Sequence, residues 1–296
     1  MKKPVCFLYD SSSSIKEGEF PDTYVLPLMV QDCTSSKQYF DGVNITTSKI
    51  ERALIKGHQF KTSSSQPDDV LKILTKLSKK YETIYVFLIP MTLSPGQNNT
   101  VTLISKEFDN VIIVPHYMVT LMAKWECSEL IELKKQKKLT LKTITNVVNK
   151  YRDNVGAALI VPDLSFLIKG GRIGKTKGIV ASLLKIKALA SFDRDGVSFR
   201  SKALSNNKLP SLINDYFDLI IPNFDYSKVE KVGILTSSVK DKNFDTNLYV
   251  DLIENKIISK INKNVKVEHA SLPSVIIAHT GPNYTALVLL VKSKKN

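Results

Sequence analysis

Ser65-Gln66-Pro67-Asp68-Asp69-Val70-Leu71-Lys72-Ile73-Leu74-Thr75-Lys76-Leu77, followed shortly by Ile84-Tyr85-Val86-Phe87-Leu88-Ile89, is the stretch whose reading decides the fold. Ser65 is a helix-capping residue type, and Pro67 suits a first helical position, where its missing N–H costs nothing. Val70, Leu71, Leu74 and Leu77 then recur on one helical face. The run at 84–89 reads as a buried strand. Residues 101–108 have helical spacing, and Val111-Ile112-Ile113-Val114 is another buried strand. Upstream, Val5-Cys6-Phe7-Leu8-Tyr9 is a first strand that ends in Asp10-Ser11-Ser12-Ser13-Ser14. A second strand is expected over 24–30 and a short helix over 48–56. Strand–helix–strand alternation of this kind argues for a parallel sheet with helices on both faces.

A second unit begins near residue 157. Residues 158–161 read as a strand, and 164–168 lead into the Gly170-Gly171 turn. Strands over 183–191 and 197–203 meet at Asp193-Arg194-Asp195-Gly196, a hairpin-type turn. Helical spacing follows at 208–219 and 246–261, with strands expected at 233–236, 275–278 and 286–291. The expected organisation is an N-terminal α/β domain over 1–156 and a C-terminal α/β domain over 157–296.

Bulk properties narrow the function. A chain of 296 residues, 43% apolar and 24% charged, is long enough for two domains with a substantial core. No apolar run approaches the roughly 20 residues that span a bilayer, and the stretch before Asp10 is too short for a signal-peptide core. Cys6, Cys33 and Cys127 show no metal-type pairing, so neither a disulfide framework nor a zinc site is expected, and a reducing cytoplasm is the expected location. The formal net charge is +14, yet only five of the 42 basic residues are arginine and the lysines spread along the whole chain. That pattern argues against a nucleic-acid surface, which clusters Arg and Lys among aromatics. It leaves contact with an acidic partner or an anionic membrane open. Lys134-Lys135-Gln136-Lys137-Lys138 reads as the solvated end of a helix.

Three polar loops carry the chemistry. His279-Thr280-Gly281-Pro282 directly follows Val275-Ile276-Ile277-Ala278. As a strand end it would set an imidazole, a hydroxyl and a bare N–H at one point, suited to a small anionic head group. The second loop, Lys61-Thr62-Ser63-Ser64-Ser65-Gln66-Pro67, offers hydroxyls at a helix start, where they either favour an anion or simply cap the helix. The third, Lys169-Gly170-Gly171-Arg172-Ile173-Gly174, lacks the spacing of a nucleotide-binding Walker sequence. Arg172 and Arg200 suit carboxylate or phosphate recognition, or a structural ion pair. Ser94, in Leu93-Ser94-Pro95-Gly96, is a head-group donor or a turn residue. Asp10 and its serines sit at a strand's C-terminal edge, where ligands gather in open α/β sheets, or else form a polar turn. A lipid or ester hydrolase using Ser94 (or Ser63) and His279 with Asp10 is the alternative class, although no Gly-x-Ser-x-Gly elbow flanks these serines. Histidines 58, 116, 269 and 279 are dispersed, so no metal is expected.

Together these segments resemble the DegV family, bacterial fatty-acid-binding proteins that serve as substrate-carrying subunits of fatty acid kinase. The matching segments are Asp10-Ser11-Ser12, Pro27-Leu28, Phe40-Asp41-Gly42-Val43-Asn44-Ile45-Thr46, Lys61-Thr62-Ser63 and Leu93-Ser94. Further on they are Leu167-Ile168-Lys169-Gly170-Gly171-Arg172-Ile173, Leu184-Lys185-Ile186-Lys187, Asp195-Gly196, Arg200 and His279-Thr280-Gly281-Pro282. The resemblance implies a two-domain α/β fold, sheets flanked by helices, with a lipid bound between the domains and its acyl chain in an apolar tunnel. It implies carboxylate binding by Thr62, Ser94 and His279, with Ser63 and Gly281 as neighbours. Arg200 matches a basic residue linked to the kinase step, and Arg172 joins the secondary candidates. The implied role is that of a carrier and not of the phosphotransferase. It presents a long-chain fatty acid to a separate fatty acid kinase, then delivers the acyl phosphate to an acyltransferase for phospholipid synthesis. No cofactor is implied beyond the lipid ligand, and brief membrane-surface contact is compatible with the lysine excess. Two departures stand out. Pro95-Gly96 replaces the family's usual Gly-Thr after Leu-Ser, and Pro115-His116 replaces an Asp-Ser.

Overall fold

The computed structural model describes residues 1–173, 187–202, 205–221, 223–241 and 244–292. Two compact units emerge. The first comprises Met1–Thr46, Phe60–Asn149 and Pro273–Val275; the second comprises Thr47–Gln59, Lys150–Leu272 and Ile276–Asn296. This division differs from a single cut after residue 156, because residues 47–59 group with the later chain and three residues near 274 with the earlier.

The first unit contains β1 (Lys3–Asp10), β2 (Thr23–Leu26), β3 (Met29–Asp32), β4 (Gln38–Phe40), β5 (Phe60–Ser63), α2 (Pro67–Lys80), β6 (Tyr81–Phe87), α3 (Pro95–Ser105), β7 (Val111–Val114), α4 (Thr120–Lys135) and most of α5 (Leu141–Asn154); α1 (Thr47–Ile55) belongs to the second. Its main sheet is wholly parallel, in the order β2-β1-β6-β7. Alternation along the strands sorts the side chains. Cys6, Leu8, Ile84 and Val86 pack with Val70, Leu74 and Leu77 of α2 and Val101 of α3. Phe7, Tyr9 and Phe87 are also fully buried and pack ring against ring, Tyr9 stacking on Phe87 at 4.6 Å between centroids. The helix expected from Pro67 forms there, with Asp68 and Asp69 in its first turn and Lys79 and Lys80 in its last, both favourable to its dipole. Leu71, expected on the buried face, is 40% exposed; it lies beside the stripe set by Val70, Leu74 and Leu77.

Several expectations change. The strand expected over 24–30 is two strands in different sheets, β2 in the parallel sheet and β3 in a small antiparallel sheet of order β4-β3-β5. Pro27, which has no N–H to donate, separates them. Ser65 does not cap α2. The capping position is Gln66, and Ser65 Oγ donates instead to the Pro27 carbonyl at 2.8 Å. Helix α3 starts at Pro95, six residues before the expected start, because its first turn is polar and carries no apolar period.

The second unit contains β8 (Val155–Val161), α6 (Ser165–Lys169), β9 (Ala188–Asp193), β10 (Gly196–Lys202), α7 (Leu209–Ile220), β11 (Val229–Thr236), α8 (Thr246–Lys256), β12 (Val267–Ala270), most of α9 (Ser274–Thr280) and β13 (Thr285–Val291). Its sheet runs β10-β9-β8-β13-β11-β12 and is antiparallel throughout except for the β11–β12 pair. Strands β8 and β13 sit inside the order and are buried at every residue, so their sequences read as continuous apolar runs without alternation. Helices α7 and α8 cover one face with Ile213, Phe217, Tyr249 and Ile253. The hairpin at Arg194-Asp195 forms as expected, with Asp193 Oδ1 accepting from the Asp195 N–H. The helix expected over 246–261 ends at Lys256 and is followed by a 3-10 turn at Ile258–Lys260. The early part of the 183–191 strand, Ala203, Gly174 and the motif Leu184-Lys185-Ile186 lie outside the described residues.

The largest correction concerns 275–278. This apolar run belongs to helix α9 and not to a strand, and His279 stands in its last turn. Gly281 terminates the helix with φ +87° and its N–H on the Ile277 carbonyl, the left-handed exit for which glycine is favoured. Four apolar residues cannot distinguish a buried helical turn from a strand, but a Gly followed by a Pro is the usual helix-stop signal.

Candidate functional site

In the first unit the hydroxyl-bearing segments come together at the start of α3. Thr62 and Ser63 end β5, opposite Val30 and Met29 of β3, with Thr62 half-buried and Ser63 exposed. The chain then turns inward at Ser65, whose N–H donates to Gln97 Oε1 at 2.9 Å while Gln97 Nε2 donates to Ser65 Oγ at 3.1 Å. Ser94 immediately precedes α3, half-buried, and its hydroxyl does not cap the helix. Its carbonyl instead accepts from Asn98 Nδ2 at 3.0 Å, and the same amide donates to the Ile89 carbonyl at 2.8 Å. A Cβ on Gly96 would lie 3.0 Å from Ser64 Oγ, so the Pro95-Gly96 departure lets the serine loop sit close on the helix start. Backbone N–H groups at an uncapped helix start are suited to an anion.

Asp10 is committed to structure. It is 1% exposed; its Oδ2 accepts from the Ile89 N–H at 2.6 Å and its Oδ1 from the N–H and hydroxyl of Ser12. The carboxylate therefore ties the end of β1 to the end of β6. Ser11 Oγ accepts from the Leu28 N–H, and buried Asp41 accepts from Ser11, Ser274 and the Val275 N–H. Burial pushes Asp41 up to about 6 against the lowering effect of those bonds. His116, the second departure, is buried and meets the stacked Tyr9 and Phe87 rings edge-on, with Nδ1 on the Leu88 carbonyl at 2.8 Å and Nε2 3.1 Å from Glu126 Oε1. Burial alone would lower its pKa; Glu126, the Leu88 carbonyl and Asp10 outweigh burial and raise it.

In the second unit, His279 sits on the bare main chain of Gly170. A Cβ there would lie 2.4 Å from His279 Nδ1, so only glycine permits this approach. Gly281 is matched in the same way by the Phe166 ring, 2.6 Å from where its Cβ would stand. Arg172 folds back, its Nη1 donating to the Gly170 carbonyl at 2.6 Å. The Gly-Gly-Arg turn and the His-Thr-Gly-Pro segment, more than a hundred residues apart in sequence, thus form one cluster. Burial pushes His279 down to about 4, and the Arg172 charge adds to that, so the ring is neutral near pH 7. Arg200 belongs to a different network. Its Nε donates to Ser191 Oγ at 2.6 Å, its Nη2 to Asp193 Oδ2 at 3.1 Å, and its guanidinium lies 5.3 Å from the Tyr216 ring centre. Among the described residues no group of three or more His, Cys, Asp or Glu is placed to hold a metal ion.

The His279 shift has a pH consequence. An unfolded imidazole takes up its proton near pH 6.5, whereas the folded one does so near 4. Between those values the unfolded chain binds more protons, so the His279 contribution falls as pH drops from about 6.5 and levels off below about 4. Urea unfolding at pH 7 and pH 4.5 should show a larger loss of stability for the natural chain than for His279→Gln. Equal losses would contradict the shift.

Gln97, Asn98, Asp41 and Phe166 were not singled out by sequence reasoning. Asp41 lay in a recognised segment; the amides of Gln97 and Asn98 carry no signal, because nothing in a polar first turn announces which side chain turns inward.

The fold defines a class: two α/β units, one on a parallel sheet with serine and threonine loops at its strand ends, the other carrying a neutral histidine seated on a Gly-Gly-Arg turn. The chain belongs to the DegV family, whose model, described as an uncharacterised protein family, matches residues 7–292. A DegV domain-containing protein of Mycoplasma genitalium is 28% identical over 99% of this chain and 100% of its own length. One from Staphylococcus aureus is 27% identical over 96% and 97%. Among solved structures, a fatty-acid-binding DegV family protein from Thermus thermophilus superposes with a TM-score of 0.79 at 20% identity, over 98% of this chain and all of the other. The Bacillus subtilis fatty acid binding protein DegV gives 0.79 at 17% over 98% and 100%. A stearic acid-binding protein from Eubacterium ventriosum gives 0.76 at 18% over 99% of both chains. These structural likenesses establish the mixed α/β fold with sheets flanked by helices. Among the described residues, no helix is long and apolar enough to cross a membrane.

Proposed function

We propose that this chain binds one long-chain fatty acid and holds its carboxylate with Thr62, Ser94 and His279, with Ser63, Gly281 and Arg172 as neighbours. It presents that carboxylate to a separate fatty acid kinase and carries the resulting acyl phosphate to an acyltransferase. The observation that carries the reading is the neutral His279 imidazole held against Gly170 beside the Arg172 guanidinium, in a chain whose family includes proteins that bind fatty acids. A neutral imidazole donates a hydrogen bond without burying a second charge, and the nearby guanidinium offsets the cost of desolvating a carboxylate. Each buried methylene is worth about 0.8 kcal/mol, so a 16-carbon tail offers on the order of 12 kcal/mol gross. Affinity therefore comes mainly from the tail, and the polar residues orient the head. Arg200, engaged with Asp193 and Ser191, takes a supporting part.

The hydrolase alternative fares worse. Asp10 is occupied by the Ile89 and Ser12 donors, and an imidazole with a pKa near 4 is a weak base at neutral pH. The working location is the cytoplasm, with brief contact at a membrane surface during delivery. Reconstitution tests the reading. Purified chain, fatty acid, ATP and a bacterial fatty acid kinase should together yield acyl phosphate, and omitting either protein should abolish it. Acyl phosphate formed by the kinase alone, at the same rate, would reject the carrier role.

A further inference from the structure

The amide of Gln97 is fully buried in the first turn of α3. A buried amide must satisfy an acceptor and its donors together, and here both ends are spent on a single residue. Gln97 Oε1 accepts from the Ser65 N–H at 2.9 Å, and Nε2 donates to Ser65 Oγ at 3.1 Å. Ser65 Oγ passes its own proton on to the Pro27 carbonyl at 2.8 Å, which fixes the direction of the whole chain of bonds. The next residue completes the arrangement: Asn98 Nδ2 bridges the carbonyls of Ile89 and Ser94. Neighbouring side chains of one helical turn thereby hold the two hydroxyl-bearing segments, one gripping the loop that follows Thr62 and the other the main chain of Ser94. Gly96, between Ser94 and this pair, leaves room for Ser64.

We infer that Gln97 is a positioning residue, which locks the 62–65 segment against the start of α3 so that Thr62 and Ser94 are offered to a carboxylate in one fixed arrangement. The inference rests on the carboxylate reading given above. The gain is one of pre-organisation, since a loop already ordered loses less entropy when the ligand arrives. Gly96 and Asn98 serve the same end, but Gln97 alone reaches the serine loop through side-chain bonds at both of its amide atoms.

The test uses Gln97→Met, which keeps the volume and removes both bonds, and Gln97→Glu, which keeps an acceptor for the Ser65 N–H. Amide exchange in the ligand-free protein should speed up about tenfold or more at residues 63–66 in Gln97→Met, with β1 and β6 unchanged. Palmitate should bind about tenfold more weakly, while 1-hexadecanol, with the same tail and no carboxylate, should change less than about twofold. Gln97→Glu should fall between Gln97→Met and the natural chain on both measures, and it carries the test if Gln97→Met does not fold. Unchanged exchange at 63–66 overturns the proposal, and so does an equal loss for palmitate and hexadecanol, which marks ordinary packing. A natural chain that binds neither ligand overturns the carboxylate reading itself; faster exchange in the variant would then show a loop clamp with no role toward a carboxylate, and the proposal falls with it.

Discussion

Replacing Thr62 and His279 together by alanine should weaken fatty-acid binding by about a hundredfold or more while the protein stays folded. Hydrogen bonds to a charged partner are worth roughly 1.5–3 kcal/mol each, and losing two leaves a desolvated carboxylate partly unmatched. Neither residue is a large part of a core. Thr62 is half-buried on β5, an edge strand of its small sheet, and His279 occupies the last turn of a short helix. Removing the imidazole also deletes a group held neutral by burial, so stability should change little at pH 7 and improve relative to the natural chain near pH 5. Competition against a fluorescent fatty acid, with urea unfolding run in parallel, checks both halves. An affinity within twofold of the natural chain would remove these residues from the head-group site.

The largest loss of stability should come from Asp10→Ala. The Asp10 carboxylate, 1% exposed, is the acceptor for the Ile89 N–H and for both donors of Ser12. Alanine would leave these buried donors without a partner, at about 1–3 kcal/mol each for those that no water reaches. A total near 3 kcal/mol or more would lower the thermal midpoint by roughly 6–12 °C. Asp10→Asn keeps one acceptor but turns an NH2 toward groups that are themselves donors, so it should recover only part of the loss. Scanning calorimetry decides the matter, and a loss under about 1 kcal/mol for Asp10→Ala would show that the carboxylate does not hold the strand ends together.

What the sequence makes legible follows from how locally each feature is determined. Strands β1, β6 and β7 announce themselves because each carries a continuous apolar run, even though β7, at the sheet edge, is fully buried only at Val114. Helix α2 does so because Val70, Leu74 and Leu77 repeat at helical spacing. The run Val275-Ile276-Ile277-Ala278 misleads for the opposite reason. A helix of seven residues is too short to display a period, and the informative signal was the Gly281-Pro282 stop and not the apolar residues before it. Residues 24–30 look like one strand because Pro27 breaks the ladder without breaking the hydrophobic pattern.

The candidate site is legible as a set of residue types and much less as a geometry. Thr62, Ser94 and His279 stand out as hydroxyl and imidazole groups in Gly- and Pro-marked loops. That Ser65 would turn inward to Gln97 and not cap its own helix depends on a contact between residues 32 apart. The neutrality of His279 likewise depends on Gly170 and Arg172, neighbours only in the folded chain. Arg200 shows the limit of reading a residue type. A scarce arginine suits either ligand recognition or a structural ion pair, and the fold seats it on Asp193 and Ser191.

Native mass spectrometry of the purified chain reads fatty-acid binding itself. An added mass equal to one long-chain fatty acid is expected, lost on delipidation and restored as a single equivalent by incubation with palmitate or another long-chain acid. A chain that purifies empty and takes up no fatty acid of any length would contradict it.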